Sequence, residues 1–163
     1  VSWAYTNNIT GGVNATSFAP GAPCTRAQVV TFLWRTAGCP EPDAGGNPYK
    51  DVSTSAYYYK AILWAAKEGI TSGYADGSFR PDQTVTRAQF VTFLWRFHGQ
   101  EEPYSLLNPF VDVKTTSNYY KAILWASQTG VTAGYGNNDF RPDLVCNRWQ
   151  VVTFLHRSML VDM

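Results

Sequence analysis

Gly73-Tyr74-Ala75-Asp76-Gly77-Ser78-Phe79-Arg80-Pro81, followed shortly by Thr86-Arg87-Ala88-Gln89, is the stretch that decides how this chain is read. The first part is dense in Gly, Asp and Pro and lacks a long period. It is a structured loop with a turn at Asp76-Gly77 and Phe79 as its large apolar anchor, and short strand-like pieces are compatible with either side of the turn. The second part is a helix start. Thr86 followed three residues later by Gln89 fits a capping box, in which the hydroxyl takes one orphan N–H and the amide side chain reaches back to another, contributing about 1 kcal/mol. Beyond it Phe90, Val91, Phe93, Leu94 and Trp95 leave little polar surface, which predicts a helix buried on most sides. The pattern recurs at a step of 61 residues: Gly12, Gly73, Gly134; Phe18, Phe79, Phe140; Pro20, Pro81, Pro142; Arg26, Arg87, Arg148; and Trp3, Trp64, Trp125. The chain is three copies of one unit, so function is a question about the unit and the seams between units.

Upstream of the loop, Ala56 to Glu68 carries Ala61, Ile62, Ala65 and Ala66 at helical spacing, with Ser55 as the expected N-cap and Gly69 as the stop. The third copy repeats Tyr58–Ala65 unchanged as Tyr119–Ala126. Val29, Val30, Phe32, Leu33, Trp34 and Val151, Val152, Phe154, Leu155 repeat the apolar second helix in copies one and three. Three such helices need one another. The expected fold is mainly α, a pseudo-threefold arrangement around a central three-helix bundle with surface lobes and loops, with a first repeat at 1–40, a second at 41–103 and a third at 104–163 forming one module. The first repeat is short at its front, because Val1 aligns with Ile62. The remnant Val1–Asn7 is too short to hold as an isolated helix, and the expected origin is a longer parent. Cys39–Pro48 and Glu101–Pro109 read as surface linkers.

The bulk numbers remove several function classes. With 163 residues, a net charge of +1 and 15% charged residues, the chain has neither a basic footprint for nucleic acid nor an acidic tail. Its apolar runs are too short to cross a bilayer, and no signal-peptide pattern opens it. Aromatics also make up 15%, with 6 Trp and 10 Tyr, which suits both core filling and stacking on sugars. Cys24 and Cys146 are repeat equivalents with Val85 between them, which reads as a small buried apolar position, a Cys24–Cys39 disulfide being the alternative. His98 and His156 have no second ligand at zinc spacing, and neither a phosphate loop nor a nucleophile elbow is present, so no catalytic, metal or cofactor site is expected.

Taken together, Asp51-Val52, Ala61-Ile62, the Gly73–Pro81 loop and Thr86-Arg87-Ala88-Gln89 resemble the S-layer homology repeat. The resemblance covers nearly the whole chain. It implies a three-lobed helical module that holds exported bacterial proteins, typically of Gram-positive organisms, on the cell wall by binding secondary cell-wall polysaccharide, often through a pyruvate ketal. The chain departs from the family pattern in two ways. The family's Glu after Thr-Arg-Ala is Gln28, Gln89 and Gln150, and its early helix Trp is Tyr57 in copy two and Asn118 in copy three.

A helix start with an arginine suits an anionic sugar. Free N–H groups and the helix dipole favour an anion there, and the guanidinium fork matches a carboxylate. Arg26, Arg87 and Arg148 are therefore candidate ligand residues, a solvated or ion-paired arginine being the plainer alternative. Tyr58 and Tyr119 offer ring faces, and Gly73, Gly134, Asp76 and Gly77 allow close backbone approach. Asp51 and Asp112 are either loop caps or ligand contacts. The expected function is non-enzymatic anchoring to wall polysaccharide at the cell surface, as part of a longer exported polypeptide and without membrane insertion; the alternative is a protein-interaction or host-contact domain on the same scaffold.

Overall fold

A computed structural model describes residues 1–43 and 45–161. Among these residues six α-helices follow in chain order: α1 Ser2–Thr6, α2 Arg26–Thr36, α3 Tyr59–Lys67, α4 Arg87–Phe97, α5 Tyr120–Gln128 and α6 Arg148–Ser158, with a short 3-10 turn at Gly136–Asn138. The fold is mainly helical. Among the described residues there are no extended strands, only isolated bridges such as Thr25 with Thr84 and Thr86 with Val145.

The buried helices α2, α4 and α6 begin as the sequence dictates. Thr25, Thr86 and Asn147 each form the capping box with Gln28, Gln89 and Gln150 three residues on. The first helix of copies two and three starts later than its periodicity suggests. In copy two α3 begins at Tyr59 with Tyr58 in the cap position and no side-chain cap, so Ser55 is not its N-cap. Residues 53–59 instead form turns closed by Ala56 N–H to Ser53 C=O and Tyr59 N–H to Ala56 C=O, at 3.1 and 3.0 Å. Gly69 does end the helix, with φ +70, a conformation that costs a residue with a Cβ.

Packing crosses the repeat boundaries. Helix α2 packs on α3 and α4 on α5, so the second helix of one repeat pairs with the first helix of the next. The pattern closes on itself because α1 packs on α6. This explains how a five-residue helix survives. Ala4 is fully buried, and Trp3 lies 4.7 Å from the His156 ring, so tertiary contacts supply what an isolated turn lacks. One hydrophobic cluster runs through all three copies, from Val29 and Leu33 through Phe90 and Leu94 to Val151 and Leu155.

At the centre, three backbone bonds form a ring: Cys24 N–H to Cys146 C=O, Val85 N–H to Cys24 C=O and Cys146 N–H to Val85 C=O, at 2.9, 3.0 and 2.8 Å. Both cysteines are fully buried and free, and Cys39 is exposed and free. Burial pushes the Cys24 and Cys146 thiols up to about 12. They are small apolar plugs matching Val85, and no disulfide ties Cys24 to Cys39.

Candidate functional site

The three repeated arginines lie inside the molecule. Arg26, Arg87 and Arg148 are 5%, 2% and 3% exposed. Each reaches across a seam into the loop of the following copy. Arg26 donates from Nε to Phe79 C=O at 2.9 Å and from Nη2 to Thr71 Oγ1 at 3.1 Å. Arg87 repeats this on Phe140 C=O and Thr132 Oγ1, at 2.9 and 3.2 Å. Arg148 returns to the start of the chain, on Phe18 C=O and Thr10 Oγ1, at 2.8 and 3.3 Å. A buried charge is tolerable only when its donors are used, and here carbonyls, hydroxyls and aromatic faces serve that purpose. The guanidiniums of Arg26 and Arg87 sit 4.6 and 4.7 Å from the centres of the Phe79 and Phe140 rings. Burial lowers the pKa of both, against the raising influence of Tyr74 and Tyr135.

The aspartates hold the same loops from the other side. Asp51 accepts the N–H groups of Phe79 and Arg80 at 2.7 and 2.8 Å, and Asp112 those of Phe140 and Arg141 at 2.8 and 2.7 Å. Desolvation pushes the Asp51 carboxyl up, but the N–H bonds from Phe79 and Arg80 together outweigh it and hold it below its usual range. Asp76 takes the Ser78 hydroxyl and N–H, which draw it down to about 2. Gly77 supplies φ +77 at the turn beside it. Gly73 and Gly134 leave room for a ring: a Cβ at Gly73 would lie 2.5 Å from Tyr49 Cε1, and one at Gly134 would lie 2.8 Å from Phe110 Cε1. Tyr58 and Tyr119 are half-buried at the starts of α3 and α5 and pack on the core.

The loops of copies two and three carry lids that copy one lacks. Tyr74 stacks between Arg26 and Arg80, whose guanidiniums lie 5.0 and 3.8 Å from its ring centre. Tyr135 stands likewise between Arg87 and Arg141, at 4.7 and 4.3 Å. The corresponding residues of loop one are Val13 and Ala19, which put no ring over Arg148, although that arginine is as buried as the other two. A groove of about 570 Å³ opens there, with Arg148 at its floor. Gly11, Gly12, Gln28 and Arg35 line it, and Tyr57, 64% exposed, arrives from copy two. The groove thus contains two arginines and, among its lining residues, no carboxylate.

Arg35 was not legible as a site residue, although its signal is in the sequence: Arg35, Arg96 and Arg157 recur at the same 61-residue step. Each donates from Nη1 to the carbonyl leading into its own loop, at Ile9, Ile70 and Val131.

A protein-family model described as the S-layer homology domain matches residues 1–30, 48–91 and 109–151. The chain belongs to the S-layer homology domain family. Among curated relatives, cell surface glycoprotein 1 from Acetivibrio thermocellus is 34% identical over 154 residues, 88% of this chain and 7% of that protein. The cellulosome-anchoring protein of the same organism is 30% identical over 152 residues, 87% of this chain and 33% of that protein. An endoglucanase of a Bacillus species is 35% identical over 92 residues, 56% of this chain and 10% of that enzyme. The chain therefore spans a third or less of the length of these relatives.

Proposed function

We propose that this three-repeat unit is a non-catalytic anchoring module that binds an anionic cell-wall polysaccharide and holds a longer exported protein at the bacterial surface. The observation that carries the glycan reading is the open groove of copy one, where Arg148 and Arg35 face a space without a carboxylate. An arginine pair in a partly water-excluded groove suits a carboxylate such as a pyruvate ketal, through charge-assisted bonds of about 1.5–3 kcal/mol each. Tyr57 adds an exposed ring for a sugar face, and the Gly11-Gly12 backbone allows close approach. Gln28, standing where the family carries Glu, keeps a negative charge out of this groove. In this reading Arg148 is the sequence-named arginine that serves the ligand, and Arg26 and Arg87 act beneath their tyrosine lids.

Anchoring, and not hydrolysis, is supported by what the relatives share. A protein named for anchoring and one named as an endoglucanase both carry a stretch similar to this chain, over 152 and 92 residues, 33% and 10% of their lengths. The segment is common to them and the enzyme name is not, which is the behaviour of an accessory module.

The test is binding of the intact protein to purified wall polysaccharide before and after removal of ketal pyruvate. Binding is expected to weaken at least tenfold on depyruvylation, and similarly for Arg35→Ala with Tyr57→Ala on the untreated polymer. Unchanged affinity in both arms would show that the ligand or the groove is wrong.

A further inference from the structure

The connector between copies two and three differs from the one between copies one and two in a way the fold does not require. Residues 101–114 and 40–53 hold equivalent places at the 61-residue step. Both are tied down by the same bonds. Trp95 Nε1 donates to Glu101 C=O as Trp34 Nε1 does to Pro40 C=O, at 2.6 and 2.8 Å, and Lys121 pairs with Glu102 as Lys60 does with Glu41, at 2.8 and 2.7 Å. Asn108 accepts the Phe110 N–H and donates to Val113 C=O, as Asn47 does with Tyr49 and Val52. Yet where the first connector carries Asp43, Gly45, Gly46 and Lys50, the second carries Tyr104, Leu106, Leu107 and Val111.

These four residues face water. They are 84%, 60%, 81% and 76% exposed, and they make up four of the eleven exposed large apolar residues among those described. A single leucine on a surface needs no explanation, but four large apolar residues within eight positions, where the sister connector has small or charged ones, mark an interaction surface. The backbone beneath them is fixed. Gln128 accepts the Ser105 N–H at 3.3 Å and donates to Ser105 C=O at 2.7 Å, and the Tyr120 hydroxyl donates to Leu106 C=O at 2.6 Å. A fixed backbone presents its side chains to a partner at little ordering cost.

Charge and area point to the partner. The stretch is acidic where it begins, at Glu101 and Glu102, and basic where it ends, at Lys114, and all three are exposed. Antiparallel pairing with a second copy sets each acidic end against the other copy's lysine, with the apolar residues between, whereas parallel pairing sets like charges together. The four residues expose on the order of 500 Å² per chain, so two facing copies remove on the order of 1,000 Å² from water, the lower bound for a specific association. A net charge of +1 adds little repulsion between copies.

We propose that this connector is a homodimer contact, in which two copies of the chain pair about a twofold axis with Leu106 and Leu107 of each against those of the other. Glu101 of each copy then faces Lys114 of the other. The contact is isologous and closes at two, and its small area makes it reversible and weak. None of these residues lines the arginine groove, so the contact stands or falls separately from glycan binding.

The test is sedimentation of the intact 163-residue protein, without glycan, from micromolar to millimolar concentration. A reversible monomer–dimer equilibrium is expected, weakened at least tenfold by Leu106→Gly with Leu107→Gly. That change copies Gly45 and Gly46 of the first connector, so Tm should hold. Lys114→Glu should weaken the dimer, and Glu101→Lys added to it should restore pairing. A protein still monomeric at millimolar concentration, a dimer indifferent to the glycine variant, or a charge exchange that restores nothing would overturn the proposal. So would a monomer that floats with phosphatidylglycerol vesicles through Leu106 and Leu107, since a lipid surface would then be what covers the connector.

Discussion

Loop one and loops two and three are built from one pattern but end in different states. Loops two and three are closed on both faces, by a tyrosine stacked over the arginine and by an aspartate segment behind the phenylalanine. Loop one has Val13 in the place of that tyrosine, and Arg148 reaches it from the far end of the chain. The same motif is thus a buried seam in all three copies, stacked under a tyrosine in two and bordered by a groove in the third. A conserved-looking arginine does not by itself say whether it holds the fold or a ligand; the residues stacked above it decide that.

The sharpest way to break this comparison is to remove the arginines singly. Arg87→Ala should destabilise the protein by about 3–5 kcal/mol in chemical denaturation, because the Phe140 carbonyl and Thr132 lose their donor in a closed site and a cavity is left behind. Arg148→Ala should cost clearly less, about 1–3 kcal/mol, since water enters from the open groove. Equal losses would mean that the openness of loop one has no energetic meaning.

The phenylalanines give the next contrast. Phe79→Ala and Phe140→Ala should each cost about 3–4 kcal/mol as fully buried rings, whereas Phe18→Ala should cost about half as much; thermal unfolding of the three variants checks this. A lid can also be transplanted. Val13→Tyr with Ala19→Arg should rebuild over Arg148 the stack seen at Tyr74 and Arg80, weakening polysaccharide binding at least tenfold, about 1.4 kcal/mol, with the fold retained by circular dichroism. Undiminished binding would place the ligand elsewhere.

The smallest effect is acid sensitivity, which should belong to the closed loops. Asp51 is depressed in the folded state, and Asp76 is drawn down to about 2. A depressed carboxyl contributes stability that is present above its unfolded value, about 4, and lost as the pH falls through the folded value. Stability should therefore decline from about pH 4 towards pH 2, and Asp51→Asn with Asp76→Asn should flatten that decline. A slope unchanged in the double variant would assign the acid response to other groups.

Much of this arrangement was legible in the sequence because local rules determined it. The Thr86–Gln89 capping box forms as read, and Thr25 and Asn147 repeat it, the Asp76-Gly77 turn is present, and the Cys24–Val85–Cys146 equivalence marks a shared buried position. The short start of α3 was not legible, since Tyr58 is followed by a helix only after the 53–59 turns have spent the first residues of an apparently helical period. Nor was the burial of Arg26, Arg87 and Arg148. Helix position alone leaves a first-turn arginine facing either solvent or a neighbour, and the neighbours here are 45 to 138 residues away in the chain. The lids were hidden for the same reason: Tyr74 reads as a loop tyrosine until an arginine from another copy is seen beneath it.

The central ring of backbone bonds between Cys24, Val85 and Cys146 has a mechanical consequence. With α1 seated against α6, the first repeat is joined to the third, so a pull that draws those two helices apart is resisted first by the joint between these repeats. Until that joint parts, the repeats cannot be drawn off one by one like beads. Under load the module behaves as a clasp, whose strength is set where Arg148 closes the circle.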